Sequence, residues 1–140
     1  MRRYRGRSAA FAALLVGLWL AIGRAQAQPI LILVSLDAWR WDYFDRASVP
    51  NLRVLASAGV RSGGLIPSFP TLTFPNHYTL VTGLVPDRHG VVSNTMVDLS
   101  IGPARFALSS ESAKDQRWWG GEPIWQTATR QGRKSASMFW

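Results

Sequence analysis

The fold is decided by one apolar stretch near the amino end, Pro29-Ile30-Leu31-Ile32-Leu33-Val34-Ser35-Leu36, which is followed by Asp37. A nearly unbroken apolar run of this length is typical of a strand that is buried on both faces of a parallel sheet. Asp37 would then lie at the carboxyl edge of the sheet, where ligands bind in open α/β folds. The same carboxylate could equally cap a local turn.

Segments with helical spacing follow this strand. The segment Pro50–Ala56 has proline near its start and Gly59 as a terminator, which predicts a first covering helix. Phe74–Thr82 has proline in its first turn and Gly83 at its end, and Glu122–Gln131 has the pattern of a third helix. Alternation of apolar strands and helices predicts an α/β layered fold with a mostly parallel central sheet.

The last segment, residues 134–140, has the composition of another buried strand. One or two strands cannot complete a parallel sheet, which needs neighbouring strands and helices on both faces. We therefore expect these residues to form the incomplete amino-terminal part of a larger layered domain. A polypeptide of this length alone is expected to be inactive. The alternative is a product of 140 residues that binds a ligand without catalysis.

The first 27 residues carry much of the basic charge. Five arginines lie within them, and without these five the formal net charge falls from +8 to +3, too little for a continuous nucleic-acid-binding stripe. The apolar run Ala9–Ile22 followed by Ala25-Gln26-Ala27 predicts a cleaved signal peptide over residues 1–27. An uncleaved membrane anchor is the alternative, but the run is shorter than the roughly 20 residues that a span needs. The mature chain, residues 28–140, is expected to be periplasmic or secreted.

Thr73 is a candidate nucleophile because it lies at the start of a predicted helix, where the helix dipole favours an alkoxide. A free threonine hydroxyl needs activation before it can attack at neutral pH. A threonine at a helix start is more often an N-cap, and the residues alone favour that interpretation. The chain contains no cysteine, so a metal would need carboxylate, imidazole or hydroxyl ligands.

A set of longer motifs carries a family resemblance. The motifs are Ser35-Leu36-Asp37 with Arg40, the run Phe69–Leu84, then Pro86, His89-Gly90, Asn94 and Trp119–Trp125. In this order they resemble the ectonucleotide pyrophosphatase/phosphodiesterase family of the alkaline phosphatase superfamily. The similarity extends over residues 29–140, which correspond to the amino-terminal part of a family catalytic domain.

The resemblance implies a site with two zinc ions and a nucleotide or other phosphodiester as substrate. Asp37 matches a metal-ligand aspartate, and Thr73 matches the metal-bound nucleophile. Asn94 matches the asparagine that holds a nonbridging phosphoryl oxygen, and Phe74 matches an aromatic residue that contacts the nucleobase. The implied reaction is hydrolysis of phosphodiester or pyrophosphate bonds through a phosphothreonine intermediate. The remaining zinc ligands are expected beyond Trp140.

Two residues depart from the family pattern. Ala38 stands where many relatives carry glycine, which predicts a small shift of the backbone at the metal. Leu72 stands where some relatives carry lysine, so a phosphate-facing charge is missing and the substrate range stays open. Another superfamily hydrolase is therefore the alternative function: a phosphomonoesterase, a phosphonate hydrolase or a lysophospholipid phosphodiesterase.

The two histidines, His77 and His89, are predicted to be packed or hydrogen-bonded, because the family pattern places both in structural motifs. Imidazole suits zinc, so a ligand role is the alternative for each. Trp118, Trp119 and Trp125 are predicted to pack in the core or in a subsite wall. A base-stacking platform is the alternative for these tryptophans.

Overall fold

The computed structural model describes residues 29–107 and 110–140, so the predicted signal peptide lies outside the described residues. The chain divides into two units, residues 1–34 and 35–140. All helices and strands of the described chain lie in the second unit. Within the described residues, no helix has both the length and the apolar character that crossing a bilayer requires.

The second unit combines short helices with a small sheet. In chain order the elements are α1 (Tyr43–Arg46), α2 (Pro50–Ala58), α3 (Thr73–Thr82), α4 (Pro86–His89), β1 (Thr95–Met96), β2 (Phe106–Ala107), two 3-10 helices (Glu111–Lys114 and Gln116–Trp118) and α5 (Ile124–Arg130). Strands β1 and β2 pair antiparallel, with Thr95 opposite Ala107 and Met96 opposite Phe106. The described residues thus combine α and β elements, with a sheet of two strands.

The predicted helices are confirmed, and α3 shows why. The helix begins at Thr73, has Pro75 in its first turn, where a missing N–H is harmless, and ends before Gly83. Gly83 adopts a left-handed φ of 69°, and its N–H donates to Thr79 O at 2.9 Å. Glycine takes this conformation at little steric cost, so it closes the helix. Helix α2 also ends before a glycine, Gly59, but with a φ of −129° and not in the left-handed region. Helix α5 is shorter than the predicted Glu122–Gln131.

The two segments predicted to be buried strands, Ile30–Leu36 and residues 134–140, form no strand in the described chain, so these two predictions are wrong. A buried parallel strand needs hydrogen-bonded neighbours on both sides, and the described residues supply none for either segment. The apolar side chains therefore stay exposed, with Ile30 at 89% and Ile32 at 77%. A mostly parallel central sheet stays a prediction.

A small aromatic core lies beneath α3. The buried members are Tyr78, Val81, Val91, Phe106 and Trp118. Tyr78 and Val81 project from one face of α3, and Phe106 comes from β2. Burial of large aromatic side chains dominates the energetics of a core this small. The predicted packing role of Trp118 is confirmed, since its side chain belongs to this cluster.

Asp42 anchors the start of α1. Arg40 donates from its guanidinium to both carboxylate oxygens, and Arg46 Nε lies 3.0 Å from Asp42 Oδ2. The hydrogen bonds from Arg40 outweigh the effect of burial and lower the pKa of Asp42 to about 2. Arg40, which belongs to the family motifs, is thus bound to a neighbouring carboxylate in the described chain.

His89 is fully buried and uses both ring nitrogens. Thr79 Oγ1 donates to Pro75 O at 2.8 Å, so its oxygen accepts from His89 Nε2 at 3.1 Å. Val91 N–H donates to His89 Nδ1 at 3.1 Å. These partners select the neutral tautomer with the proton on Nε2. The prediction that His89 is a hydrogen-bonded structural residue is confirmed, and burial lowers the pKa of its imidazole.

Acidification is expected to destabilise the protein through His89. Because the folded state disfavours the imidazolium, the unfolded chain binds the proton more tightly. The contribution of neutral His89 to the free energy of unfolding is therefore complete above about pH 6.5. It is lost as the pH falls from there towards the lower pKa of the folded state. Urea unfolding of the wild type and of His89→Gln between about pH 7.5 and 5 measures how the free energy of unfolding falls with pH. An equal decline in both proteins would assign the effect to another group.

Candidate active site

The structure brings the predicted carboxylate and the predicted hydroxyl together. Thr73, the first residue of α3, donates from Oγ1 to Asp37 Oδ2 at 3.3 Å, although the two residues are 36 positions apart. The Asp37 side chain is 59% exposed, and Thr73 is half-buried. A hydroxyl at a helix start, bonded to a carboxylate that solvent can reach, is a chemically plausible nucleophile site.

The turn at Asp37 and Ala38 orients the carboxylate. Ala38 N–H donates to Asp37 Oδ1 at 2.9 Å, so Oδ2 is the oxygen that meets Thr73. Ala38 adopts a φ of 54°, in the left-handed region that favours glycine. For an alanine this conformation costs roughly 1–2 kcal/mol. Alanine therefore occupies a backbone conformation that glycine adopts at lower cost.

His77 lies at this site, one helical turn after Thr73. Its Nε2 is 3.6 Å from Asp37 Oδ1, and its side chain is 25% exposed. The imidazole ring also packs edge-on against Trp140, with 5.5 Å between ring centroids. His77 was predicted to be packed or hydrogen-bonded, and its contact with the carboxylate of Asp37 was not predicted. The signal was the spacing of four residues between Thr73 and His77, which puts both on one helix face.

Asn94 is joined to the start of α3 by a hydrogen bond. Phe74 N–H donates to Asn94 Oδ1 at 2.9 Å. The first N–H groups of a helix lack partners within the helix, and the N-cap residue Leu72 supplies no side-chain acceptor. Asn94 thus caps the helix from a distant part of the chain. Its Oδ1 thus accepts from the helix, and its Nδ2 group is the donor that the side chain can offer to a ligand.

Phe74 is anchored in the core next to Thr73. Its ring packs edge-on against Phe106 and Trp119, with centroid distances of 5.5 and 6.2 Å. Trp119 is held in turn by a hydrogen bond from its Nε1 to Ala113 O at 2.7 Å. Trp119 and Trp125, both half-buried, pack against the core cluster. A contact between Phe74 and a nucleobase stays a prediction.

Asp37 and Thr73 fit one zinc ion as a pair of oxygen ligands. Two ligands of a tetrahedral zinc ion with bonds of about 2.0 Å lie about 3.3 Å apart, and the two oxygens are 3.3 Å apart here. Within residues 29–107 and 110–140, no group of three or more histidine or carboxylate side chains is arranged to hold a metal ion. The described chain offers a pair of ligands, and the site with two zinc ions stays a prediction.

The class of the protein follows from its similarity to a known family. The family model described as type I phosphodiesterase/nucleotide pyrophosphatase matches residues 31–140, which is most of the chain. The chain belongs to this family. The resemblance inferred from the motifs around Asp37 and Thr73 is thereby confirmed.

Individual relatives agree with the family. The chain is 46% identical over 114 residues to ectonucleotide pyrophosphatase/phosphodiesterase family member 3 of Bos taurus, covering 80% of this chain and 13% of the relative. It is 48% identical over 114 residues to an uncharacterized pyrophosphatase/phosphodiesterase of Schizosaccharomyces pombe, covering 81% and 24%. It is 43% identical over 115 residues to venom phosphodiesterase 2 of Crotalus adamanteus, covering 81% and 14%. The chain thus spans less than a quarter of the length of these relatives.

Proposed function

We propose that the protein hydrolyses phosphodiester or pyrophosphate bonds of nucleotides, with Thr73 as the nucleophile. The observation that carries this proposal is the 3.3 Å contact between Thr73 Oγ1 and Asp37 Oδ2 at the start of α3. It is supported by membership of the type I phosphodiesterase/nucleotide pyrophosphatase family and by relatives named as pyrophosphatases and phosphodiesterases.

Thr73 forms the new bond in this mechanism. Its Oγ1 loses its proton to solvent and attacks phosphorus, the bond from phosphorus to the leaving oxygen breaks, and the leaving group departs as an anion or takes up a proton from solvent. The adduct is a phosphothreonine ester that water then hydrolyses. When the substrate is a diester, the adduct keeps the nucleoside. Asp37 and Thr73 would hold one of two zinc ions, and zinc would lower the pKa of the hydroxyl and neutralise the phosphoryl oxygens. The positive end of the α3 dipole acts in the same direction.

Asn94 would stabilise the charge that develops on phosphorus. Its Oδ1 is bound to Phe74 N–H, and its Nδ2 group would donate to a nonbridging phosphoryl oxygen. Phe74 would contact the base from its anchored position beside Thr73. We also propose that residues 1–27 direct the protein to the periplasm or outside the cell. An alkaline phosphatase superfamily hydrolase with another substrate is the second candidate function, favoured by the uncharged Leu72.

Removing the amide donor of Asn94 is expected to slow turnover. Asn94→Ala should reduce kcat by about 10²-fold to 10³-fold, the scale for losing one donor to a developing oxyanion. Asn94→Asp is the sharper variant, because it keeps an acceptor for Phe74 N–H but has no donor for the phosphoryl oxygen. Steady-state kinetics with a nitrophenyl ester of thymidine 5′-monophosphate measures kcat. If kcat were unchanged in Asn94→Asp, the oxyanion role would be refuted.

The decisive experiment looks for the covalent adduct. The protein, expressed from its complete coding sequence, is quenched with acid during turnover of the same nitrophenyl ester and digested. Mass spectrometry should place a thymidylyl adduct on the peptide that contains Thr73. Thr73→Ala, treated identically, should show no adduct. Normal turnover without any adduct in the wild type would mean that water attacks phosphorus directly.

A further inference from the structure

The side chain of Asn76 binds the segment that leads into Thr73. Its Oδ1 accepts from Ser68 N–H at 2.7 Å. Its Nδ2 donates to the carbonyl oxygens of Ser68, Pro70 and Leu72 at 3.2, 3.0 and 3.0 Å. One amide group therefore contacts three backbone positions within the five residues that precede the proposed nucleophile.

These hydrogen bonds use both N–H donors and the carbonyl oxygen of the amide. An asparagine side chain has two N–H donors and one carbonyl oxygen, so three acceptors at Nδ2 require one shared hydrogen. Asparagine is also a poor residue for a helix interior, and Asn76 is the fourth residue of α3. Asn76 thus has low helix propensity, and its amide is bound to the segment before the helix. It is better suited to holding that segment than to stabilising the helix.

Hydrogen bonds from Asn76 are the main polar restraint on this segment. Phe69 is 89% exposed and buries little surface, whereas Leu72, at 40% exposed, is partly buried. Apart from the bond from Leu72 N–H to Pro70 O at 2.8 Å, the described hydrogen bonds to the backbone of residues 68–72 come from Asn76. The Leu72 carbonyl is bound twice, by Asn76 N–H at 3.2 Å and by Asn76 Nδ2 at 3.0 Å. Because a peptide unit is planar, fixing this carbonyl fixes the orientation of the following Thr73 nitrogen.

We propose that Asn76 is a positioning residue that holds Thr73 in line for attack. The inference rests on the proposed function, since it takes Thr73 as the nucleophile. By fixing the peptide between Leu72 and Thr73, Asn76 sets where Thr73 Oγ1 meets Asp37 Oδ2. Misplacement of a reacting atom by about 1 Å can cost roughly 10²-fold in rate, so a rigid entry to the helix matters for catalysis.

Two substitutions at Asn76 test the proposal in the protein expressed from its complete coding sequence. Asn76→Asp keeps the size and the acceptor for Ser68 N–H but cannot donate to the three carbonyls, and Asn76→Ala removes every contact. With the nitrophenyl ester of thymidine 5′-monophosphate, both variants should lower kcat by about 10-fold to 100-fold while KM changes little. The single-turnover rate of adduct formation on Thr73 should fall by the same factor.

Thr82→Val is the matched control at the other end of α3. Thr82 Oγ1 donates to Tyr78 O at 2.7 Å and accepts from Leu84 N–H at 3.3 Å, so the substitution also removes hydrogen bonds between side chain and backbone. It should lower Tm as Asn76→Asp does but leave kcat close to wild type. That contrast separates a loss of positioning from a loss of stability.

The outcomes distinguish this inference from the function on which it rests. If Asn76→Asp keeps wild-type kcat, or loses kcat only in proportion to its folded fraction, Asn76 has no positioning role, whether or not Thr73 is the nucleophile. If Asn76→Ala fails to fold, Asn76→Asp and Asn76→Ser supply the kinetic comparison. If Thr73→Ala keeps near-normal turnover in the same assay, the proposed function itself fails.

Discussion

Thr73→Ala is expected to lose at least about 10³-fold in kcat, because it removes the attacking oxygen and a proposed metal ligand together. Thr73→Ser should keep a measurable fraction of the activity, since the hydroxyl that donates to Asp37 Oδ2 remains. Turnover of the nitrophenyl ester by each purified variant measures the effect. Circular dichroism spectra should match the wild type, because Thr73 makes no contribution to the buried core.

The serine variant shows whether the hydroxyl or the methyl group of Thr73 is the part that catalysis needs. If position at the helix start matters more than the methyl group, Thr73→Ser should still form the covalent adduct, now on serine. A Thr73→Ala protein with near-normal turnover and normal zinc content would mean that water attacks phosphorus directly. The covalent mechanism would then have to be abandoned.

Asp37→Ala is expected to lose one of the two proposed zinc ions and to reduce activity by more than about 100-fold, because even supporting contacts around a metal change affinity by 10-fold to 100-fold. The carboxylate is also the acceptor for the Thr73 hydroxyl, so its loss leaves the nucleophile without its partner. Metal analysis of the purified protein gives zinc per polypeptide, a readout that does not depend on turnover.

His77→Gln is the control for that experiment. His77 Nε2 lies 3.6 Å from Asp37 Oδ1, so the substitution changes the surroundings of the carboxylate while the carboxylate itself remains. We expect normal zinc content and a reduced folding yield. Unchanged zinc in Asp37→Ala together with halved zinc in His77→Gln would reverse the ligand assignment.

Helices of this chain were predictable because their signals are local. Pro50, Pro75 and Gly83 act within a few residues of themselves, through a fixed φ or through access to the left-handed region. The strands were not predictable in the same way. A run such as Ile30–Leu36 has the composition of a buried strand, but a strand forms only where another segment pairs with it, and the described residues provide no such segment.

The site was predictable in part for a similar reason. Residue type and the family resemblance pointed to Asp37, Thr73 and Asn94, and the structure puts the first two in contact. The hydrogen bonds of Asn76 were not predictable, because they depend on how side chains are directed between segments. For His77 a signal was present, since the spacing of four residues puts it on the same helix face as Thr73. The metal roles and the substrate contacts of these residues stay predictions that the experiments above address.

Alanine at position 38 affects the unfolded chain as well as the folded one. A glycine there would have more backbone conformations available before folding, and ordering it would cost roughly 0.5–1 kcal/mol more in conformational entropy. In the folded state the left-handed φ of Ala38 favours glycine instead, because this conformation costs an alanine roughly 1–2 kcal/mol. The net difference between the two residues is about 0–1.5 kcal/mol in favour of glycine, small beside a typical folding free energy of about 5–15 kcal/mol. The turn that presents Asp37 can therefore exchange glycine for alanine at little thermodynamic cost.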